Sequence, residues 1–575
     1  MGYSKKMFSR LTRGGKYRVH EIEPDEIFLD STNLPEYDSK QFEGRVSRPV
    51  SLRAILSVGV VFSLVAFGFG YRAFTLQIAE GESYAEISRA NTLDRSVIFA
   101  TRGLVYDRTG SEIVWNEAQV ASSTATSTFA FRKYTTLPGL SHLIGYVQYP
   151  KADAKGEWWR EEYAGISGIE YSLEVLLRGK NGSRLIETDA LGAVERENIV
   201  VPPDDGDALT LSIDAELQSK LYNVLSAHAE RMRFQGGAAV IMDVNTGAVL
   251  ALTSFPEYDN QAFTDGDKDI VRSASNSSRT PMLNRAVAGL YTPGSIVKPI
   301  FAIAAAKEGI IDPETKIQSK GALILPNPYF PDQPSVFRDW AVHGWVNMRE
   351  AIAVSSDEYF YTIGGGFAGQ KGLGIQKIDE YAKKFGLATR TGIDLSGEEV
   401  GLIPTPEWKE QVFGADDPWR VGNTYHTVIG QYGFQITPLQ AVRFIAAIAN
   451  GGKLMKPQLI ASSTPEFTEV GIEDEFLQIA RDGMRMAVTS DLRTATVKSL
   501  NIGGIKIAAK TGTAQLGYRN ESMNSWSIGF WPADNPKYAY AVVLEKAPAG
   551  TASGAAPGLV PFFQWLIAEK PEYIN

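Results

Sequence analysis

The chain has 575 residues, 44% hydrophobic and 21% charged, with Lys+Arg 57 against Asp+Glu 66, an ordinary globular balance with room for about three or four domains. Zero Cys excludes a thiol nucleophile, a disulfide framework, an iron–sulfur cluster and a thiolate zinc site, and five scattered His exclude an HExxH metal centre. A net charge of −9 argues against nucleic acid as the main partner, so the chemistry must come from Ser, Thr, Lys, Asp and Glu.

In chain order, residues 1–53 carry ten Lys/Arg and eight Asp/Glu without an apolar period, which predicts a disordered tail. Ala54 to Tyr71 runs without one charge, and the apolar character continues past Arg72 to Ile78. As a helix, residues 54–78 span about 37 Å, enough to cross a bilayer core of about 30 Å. The stretch and its basic leader are too long for a cleaved signal peptide. The basic residues before it predict a cytoplasmic N-terminus, with the large body outside.

Residues 79–235 are mixed: an amphipathic stretch near Tyr84–Asn91, strand-like runs at Gly103–Tyr106 and Ala208–Ile213, and a turn or linker at Val201–Gly206. From Gly236 the pattern tightens. Ala238–Met242 and Ala248–Leu252 flank Asp243–Gly247 as one hairpin, and Ser525–Trp531 and Tyr538–Leu544 flank Pro532–Pro536 as another. Between them, Thr437-Pro438-Leu439-Gln440 has an N-cap, a Pro at the first helical position and a capping-box Gln, which predicts a helix ending at Asn450. Hairpins bracketing helices predict an α+β domain with an antiparallel sheet, spanning residues 236–575.

Three short motifs could carry chemistry. In Ser295-Ile296-Val297-Lys298-Pro299, Pro299 lacks the N–H that a helix interior needs, so the helix must begin close to Ser295. That puts the Ser295 hydroxyl where free backbone N–H groups favour negative charge, and Lys298 three residues on shares its face. A serine is a weak nucleophile unless a base takes its proton, and an amine is a base only when neutral. In Ser355-Ser356-Asp357 a hydroxyl and a carboxylate could relay a proton. Lys510-Thr511-Gly512-Thr513 follows a β-prone run. On an edge strand beside Ser295 it would present a cation and a hydroxyl to a carboxylate, with the Thr513 and Ser295 N–H groups as an oxyanion hole. Taken singly, each motif also fits a helix cap, a surface lysine or a strand-to-turn transition.

Together, in this order and with 60 and 155 residues between them, the motifs resemble those of the penicillin-binding protein and serine β-lactamase superfamily. Arg102–Gly110, Gly165–Glu170 and Leu177–Gly179 resemble the N-terminal pedestal of its class B members, and Thr391–Leu395, Gly430–Gly433 and Thr437–Gln440 their transpeptidase domain.

The resemblance implies a pedestal over 79–235 and a transpeptidase that cross-links peptidoglycan stem peptides. Ser295 would attack the D-Ala-D-Ala carbonyl, with Lys298 as base, Ser355 as proton shuttle, and Lys510 with Thr511 as carboxylate clamp. β-Lactams would acylate Ser295. Asp357, where many relatives have Asn, is similar to the elongation-type branch (penicillin-binding protein 2) rather than the division-type branch. An anion there would favour charged Lys298, so Asp357 is expected to pair with Lys510 or to sit protonated. Some elongation-type relatives hold zinc with a Cys; here His343 and Asp339 make half a site, so neither metal nor cofactor is expected. Glycan polymerisation would fall to a multi-spanning membrane partner. A D,D-carboxypeptidase, a β-lactam sensor and a division-type enzyme remain alternatives.

Overall fold

The computed structural model describes residues 51–84, 93–118, 129–154, 158–188, 194–327, 330 and 332–574. The tail up to residue 50 and nearly all of the amphipathic stretch after Tyr84 lie outside these residues. The chain divides after Asn91 into two units. In the first, the Ser51 side chain accepts the Ala54 N–H and starts α1 (Leu52–Phe74), which runs on as a π-helical turn to Ala79. Leu52–Ala79 has a mean hydropathy of 2.1 and no buried residue, and is long and apolar enough to cross a membrane. It covers the predicted span.

The second unit begins with short strands: β1 (Leu93–Ile98), β2 (Val105–Tyr106), β3 (Glu112–Glu117), β4 (Phe131–Tyr134), β5 (Gly182–Thr188), β6 (Val194–Val201) and β7 (Leu209–Thr210). They form two sheets, ordered β1-β5-β6 and β7-β2-β3-β4. Both predicted strand-like runs are present, shortened to β2 and β7, and they pair in parallel. The Val201–Gly206 segment leaves β6 as irregular chain, held by an antiparallel bridge between Lys180 and Asp204 and by the Gly206 N–H on Thr101 O.

A charged core holds this region. Glu170 accepts from Arg102 Nε at 2.6 Å and from Arg132 Nε at 2.8 Å, and all three side chains are fully buried. Burial opposes the Glu170 charge, but Arg132 and Arg102 prevail and keep its pKa below the ordinary value. A depressed carboxylate stabilises the fold above its unfolded pKa of about 4.3, and that contribution fades as pH falls through the lower folded value. Glu170→Gln leaves two buried guanidinium groups under-compensated and is expected to cost about 3–5 kcal/mol at neutral pH. Thermal unfolding at pH 7 checks this, and the deficit should narrow in acid.

From residue 215 onward the architecture is α+β. The elements that frame the site are α2 (Ala215–Met232), β8 (Gly236–Asp243), β9 (Val249–Phe255), α3 (Lys298–Lys307), β10 (Ala322–Leu325), β11 (Ser335–Arg338), α4 (Met348–Val354), α5 (Asp357–Gly365), α6 (Pro438–Ala449), α7 (Asp474–Thr489), β12 (Ala508–Leu516), β13 (Ser522–Trp531), β14 (Tyr538–Pro548) and α8 (Val560–Glu569). The five-stranded sheet is ordered β9-β8-β14-β13-β12, and both predicted hairpins, β8-β9 and β13-β14, are antiparallel as expected.

Alternate residues of β8 face opposite layers. Ala238, Val240 and Met242 pack in the cluster that holds α3 and α6, while Ala239 and Ile241 pack with Leu217, Leu221 and Leu225 of α2 and with Phe562 and Phe563 of α8. Helix α2, although it precedes residue 236, is therefore part of the sheet's second layer. Helix α6 starts on the expected Thr437–Gln440 capping box with Pro438 at its first turn, has Asn450 as its C-cap, and is buried throughout.

Candidate active site

Ser295 lies in a 3-10 turn, Gly294–Val297, that runs directly into α3, so the helix starts at Lys298 with Pro299 in its first turn, as the missing N–H requires. The turn presses on β12, which is an edge strand. A Cβ on Gly294 would lie 2.7 Å from Thr513 O, and one on Gly512 would lie 2.7 Å from Pro293 O. Only glycine at both positions allows this approach, and it sets the Thr513 backbone beside Ser295. Trp526 Nε1 donates to Thr292 O at 3.0 Å and ties the turn to β13.

The Ser-x-Asp motif is a break between two helices. Ser355 caps α4 in left-handed backbone (φ 59°), which costs a residue with a side chain on the order of 1 kcal/mol. Ser356 caps α5 by accepting the Tyr359 N–H, and Asp357 is the first residue of α5.

The buried Lys298 amine donates to Asp357 Oδ1 at 2.6 Å, to Ser355 O at 2.8 Å and more weakly to Ser355 Oγ at 3.4 Å. The buried Lys510 amine donates to Ser355 Oγ and to Thr511 O, both at 2.8 Å. The Ser355 hydroxyl thus sits between two amines. Asp357 pairs with Lys298, which corrects the expected pairing with Lys510: the Lys510 amine donates instead to Ser355 Oγ and Thr511 O. Burial pushes the Asp357 carboxyl up toward its neutral form, against the pull of Lys298. That direction agrees with the other half of the expectation. Burial, and after it the charge of Lys298, pushes the Lys510 amine well below its ordinary range, and Asp357 offsets this only in part.

Ser295, Ser355, Asp357, Thr511 and Thr513 line one cleft of about 1150 Å³. The structure therefore brings the predicted residues together, with Lys298 and Lys510 buried beneath the cleft floor and Gly512 at the turn contact. The Lys298 amine spends its hydrogen bonds on Ser355 and Asp357 rather than on Ser295 Oγ. Gln431, from the Gly430–Gly433 segment already singled out, is on the cleft wall, together with Trp340, Tyr361 and His426, which no spacing rule links to the motifs. Sequence reasoning weighed Asp339 only as half of a metal site. His343 faces Asp339 Oδ1 at 3.4 Å and Thr494 Oγ1 at 2.8 Å, and among the described residues no group of three or more His, Cys, Asp or Glu could hold a metal ion.

A serine turn on an edge strand, two buried amines and a capped Ser-x-Asp break meet at this one cleft. Comparison with known proteins gives the family. The profile of the penicillin binding protein transpeptidase domain matches residues 237–560, and that of the penicillin-binding protein dimerisation domain matches residues 123–211. The chain belongs to the penicillin-binding protein transpeptidase family, with the two-domain make-up of its class B members.

Within that family it lies in the penicillin-binding protein 2 branch. It is 32% identical over 459 residues, 74% of this chain and 69% of the other, to the peptidoglycan D,D-transpeptidase MrdA of Escherichia coli. The structure of penicillin-binding protein 2 in complex with MreC from Helicobacter pylori aligns with a TM-score of 0.68 at 25% identity, covering 83% of this chain and 99% of that one. A structure described as a peptidoglycan synthase complex coordinating polymerization and crosslinking aligns with a TM-score of 0.68 at 26% identity, covering 90% and 98%. The protein is a serine-type D-Ala-D-Ala transpeptidase of the elongation type and a β-lactam target.

Proposed function

We propose that Ser295 is the nucleophile and that its proton passes to Lys298 while Asp357 stores the proton Lys298 must first release. The convergence of the two amines and Asp357 on the Ser355 turn beside Ser295 carries this reading. In the resting pair the Lys298 amine donates to Asp357 Oδ1 at 2.6 Å. Because burial favours neutral Asp357, moving the proton from Nζ to Oδ1 leaves a neutral amine at modest cost. Ser295 Oγ then attacks the carbonyl of the penultimate D-alanine and gives its proton to Lys298 Nζ. The oxyanion rests on the Ser295 and Thr513 N–H groups.

Ser355 Oγ protonates the leaving D-alanine amine and is reprotonated along the Lys298 side, which breaks the C–N bond and leaves the acyl group on Ser295. An amine of a second stem peptide attacks that ester by the reverse proton path, and the cross-link forms. Lys510 and Thr511 receive the substrate's terminal carboxylate. That anion raises the Lys510 amine back toward its charged form.

The enzyme is anchored by α1 with its N-terminus in the cytoplasm and its catalytic domain outside. The anchor and pedestal serve a multi-spanning glycan polymerase of the SEDS type and an MreC-like scaffold. The MreC complex of the Helicobacter pylori relative supports the second partner, and the relative found in a complex that couples polymerization to crosslinking supports a polymerase as the first.

Replacing Asp357 by Asn removes the store, so the neutral amine can form only by losing its proton to solvent. The acid limb of the penicillin acylation profile should therefore move to higher pH. An unchanged profile would remove Asp357 from the proton balance. Transpeptidation is separated from hydrolysis by offering a donor pentapeptide with and without a labelled amine acceptor. Capture of the label in cross-linked product is expected, and release of D-alanine to water alone would favour the carboxypeptidase reading.

A further inference from the structure

Ser355 is held in left-handed backbone between two amines, and its own residue type does not favour that conformation. Something outside the turn must impose it. The segment after β11 touches the residues on either side of Ser355. Asp339 Oδ2 accepts from Ser356 Oγ at 2.8 Å, from the Glu358 N–H at 3.0 Å and from Ser319 Oγ at 3.3 Å. Its Oδ1 accepts the Trp340 N–H at 2.8 Å and faces His343 Nε2 at 3.4 Å. Trp340 Nε1 donates to Val354 O at 3.1 Å. The residues before and after Ser355 are thus both tied to the dipeptide Asp339-Trp340.

The Asp339 side chain is fully buried, as is that of His343. Burial disfavours its charge, but the His343 hydrogen bond, the charge of Lys298 and the donors from Glu358 and Ser356 outweigh it and hold the carboxyl well below the usual range. A carboxylate suits this place because a single oxygen meets three donors, and an ionised acceptor binds each more strongly than a neutral one.

We propose that Asp339 is a positioning residue for acylation: by tying down Ser356 Oγ and the Glu358 N–H it fixes the Ser355 backbone so that Ser355 Oγ stays between Lys298 and Lys510. The inference rests on the proton path proposed above. Asp339 touches none of the reacting atoms, so its loss should slow the proton relay without weakening the binding of substrate or β-lactam in the cleft.

The test measures acylation of the full-length chain by a fluorescent penicillin as a function of drug concentration. Such data separate the limiting acylation rate from the concentration giving half of it. Asp339→Ala should lower the limiting rate at least ~30-fold and change the half-saturating concentration less than ~3-fold. Asp339→Asn keeps one neutral acceptor and should recover most of that loss, within ~10-fold of the parent. Ser356→Ala removes the main donor; combined with Asp339→Ala it should add less than ~3-fold, because both act through one tie.

Folded Asp339→Ala acylated within ~3-fold of the parent rate would overturn the proposal. So would a parallel fall in rate and affinity that tracks a lowered unfolding temperature and is not relieved by Asn. If Asp339→Ala does not fold, Ser356→Ala decides: a limiting rate at least ~10-fold below the parent with a half-saturating concentration within ~3-fold supports the proposal, and a rate within ~3-fold of the parent overturns it. Failure of the parent protein to be labelled on Ser295 would instead refute the proposed function.

Discussion

Ser295→Ala is expected to abolish acylation by penicillin and to lower transpeptidation at least ~1,000-fold while leaving the fold intact. The loss is large because the reaction is a covalent relay: without Oγ no acyl-enzyme forms, and the oxyanion site has nothing to stabilise. The structural cost is small because Ser295 is half-exposed in a 3-10 turn whose position is set by Gly294, by Gly512 and by the Trp526 bond to Thr292. Gel fluorescence after incubation with a labelled penicillin measures the first effect. A thermal midpoint within about 2 °C of the parent checks the second. Residual labelling of the alanine variant at a substantial fraction of the parent rate would move the nucleophile elsewhere.

Lys298→Met is the second large effect, expected to lower acylation by about 1,000-fold or more through loss of the proton acceptor. Here stability also changes. Removing the amine strands the Asp357 carboxylate 2.6 Å from where its partner was, and a buried carboxylate without a partner costs several kcal/mol if it stays ionised. Asp357 already leans toward its neutral form, so it escapes most of that penalty by taking a proton. The expected cost is therefore about 1–2 kcal/mol, growing as pH rises. Adding Asp357→Asn to Lys298→Met should restore the midpoint but not the activity. Recovery of activity in that double variant would show that Lys298 is not the acceptor.

How much of this was legible in the sequence depended on range. The α6 capping box, the start of α3 forced by Pro299, both hairpins and the β-strand character of Lys510–Thr513 are set by neighbours within a few residues. They appeared as read. The convergence of Ser295, Ser355 and Lys510 spans 215 residues of chain, and only the ordered motif set with its family resemblance made it visible. What failed to appear was the choice of partner. Whether Asp357 meets Lys298 or Lys510 depends on which way α5 leaves the Ser355 turn, where Asp339, just after β11, accepts from Ser356 Oγ and the Glu358 N–H. Nothing in the spacing of Asp339 announces three donors on one carboxylate oxygen. Helix α2 shows the same limit: its amphipathic face is local, but its assignment to the second layer of the sheet rests on Leu217, Leu221 and Leu225 meeting Ile241 and Phe563.

The most direct measurement is peptide mapping by mass spectrometry of the full-length protein after reaction with a β-lactam, at pH values on both sides of the acylation optimum. One penicilloyl adduct is expected, on the Ser295 hydroxyl, with a rate of formation that falls in acid as the Asp357 carboxylate takes a proton from solvent and can no longer accept one from Lys298. An adduct on any other residue, or a rate on Ser295 that ignores pH across that range, would contradict it.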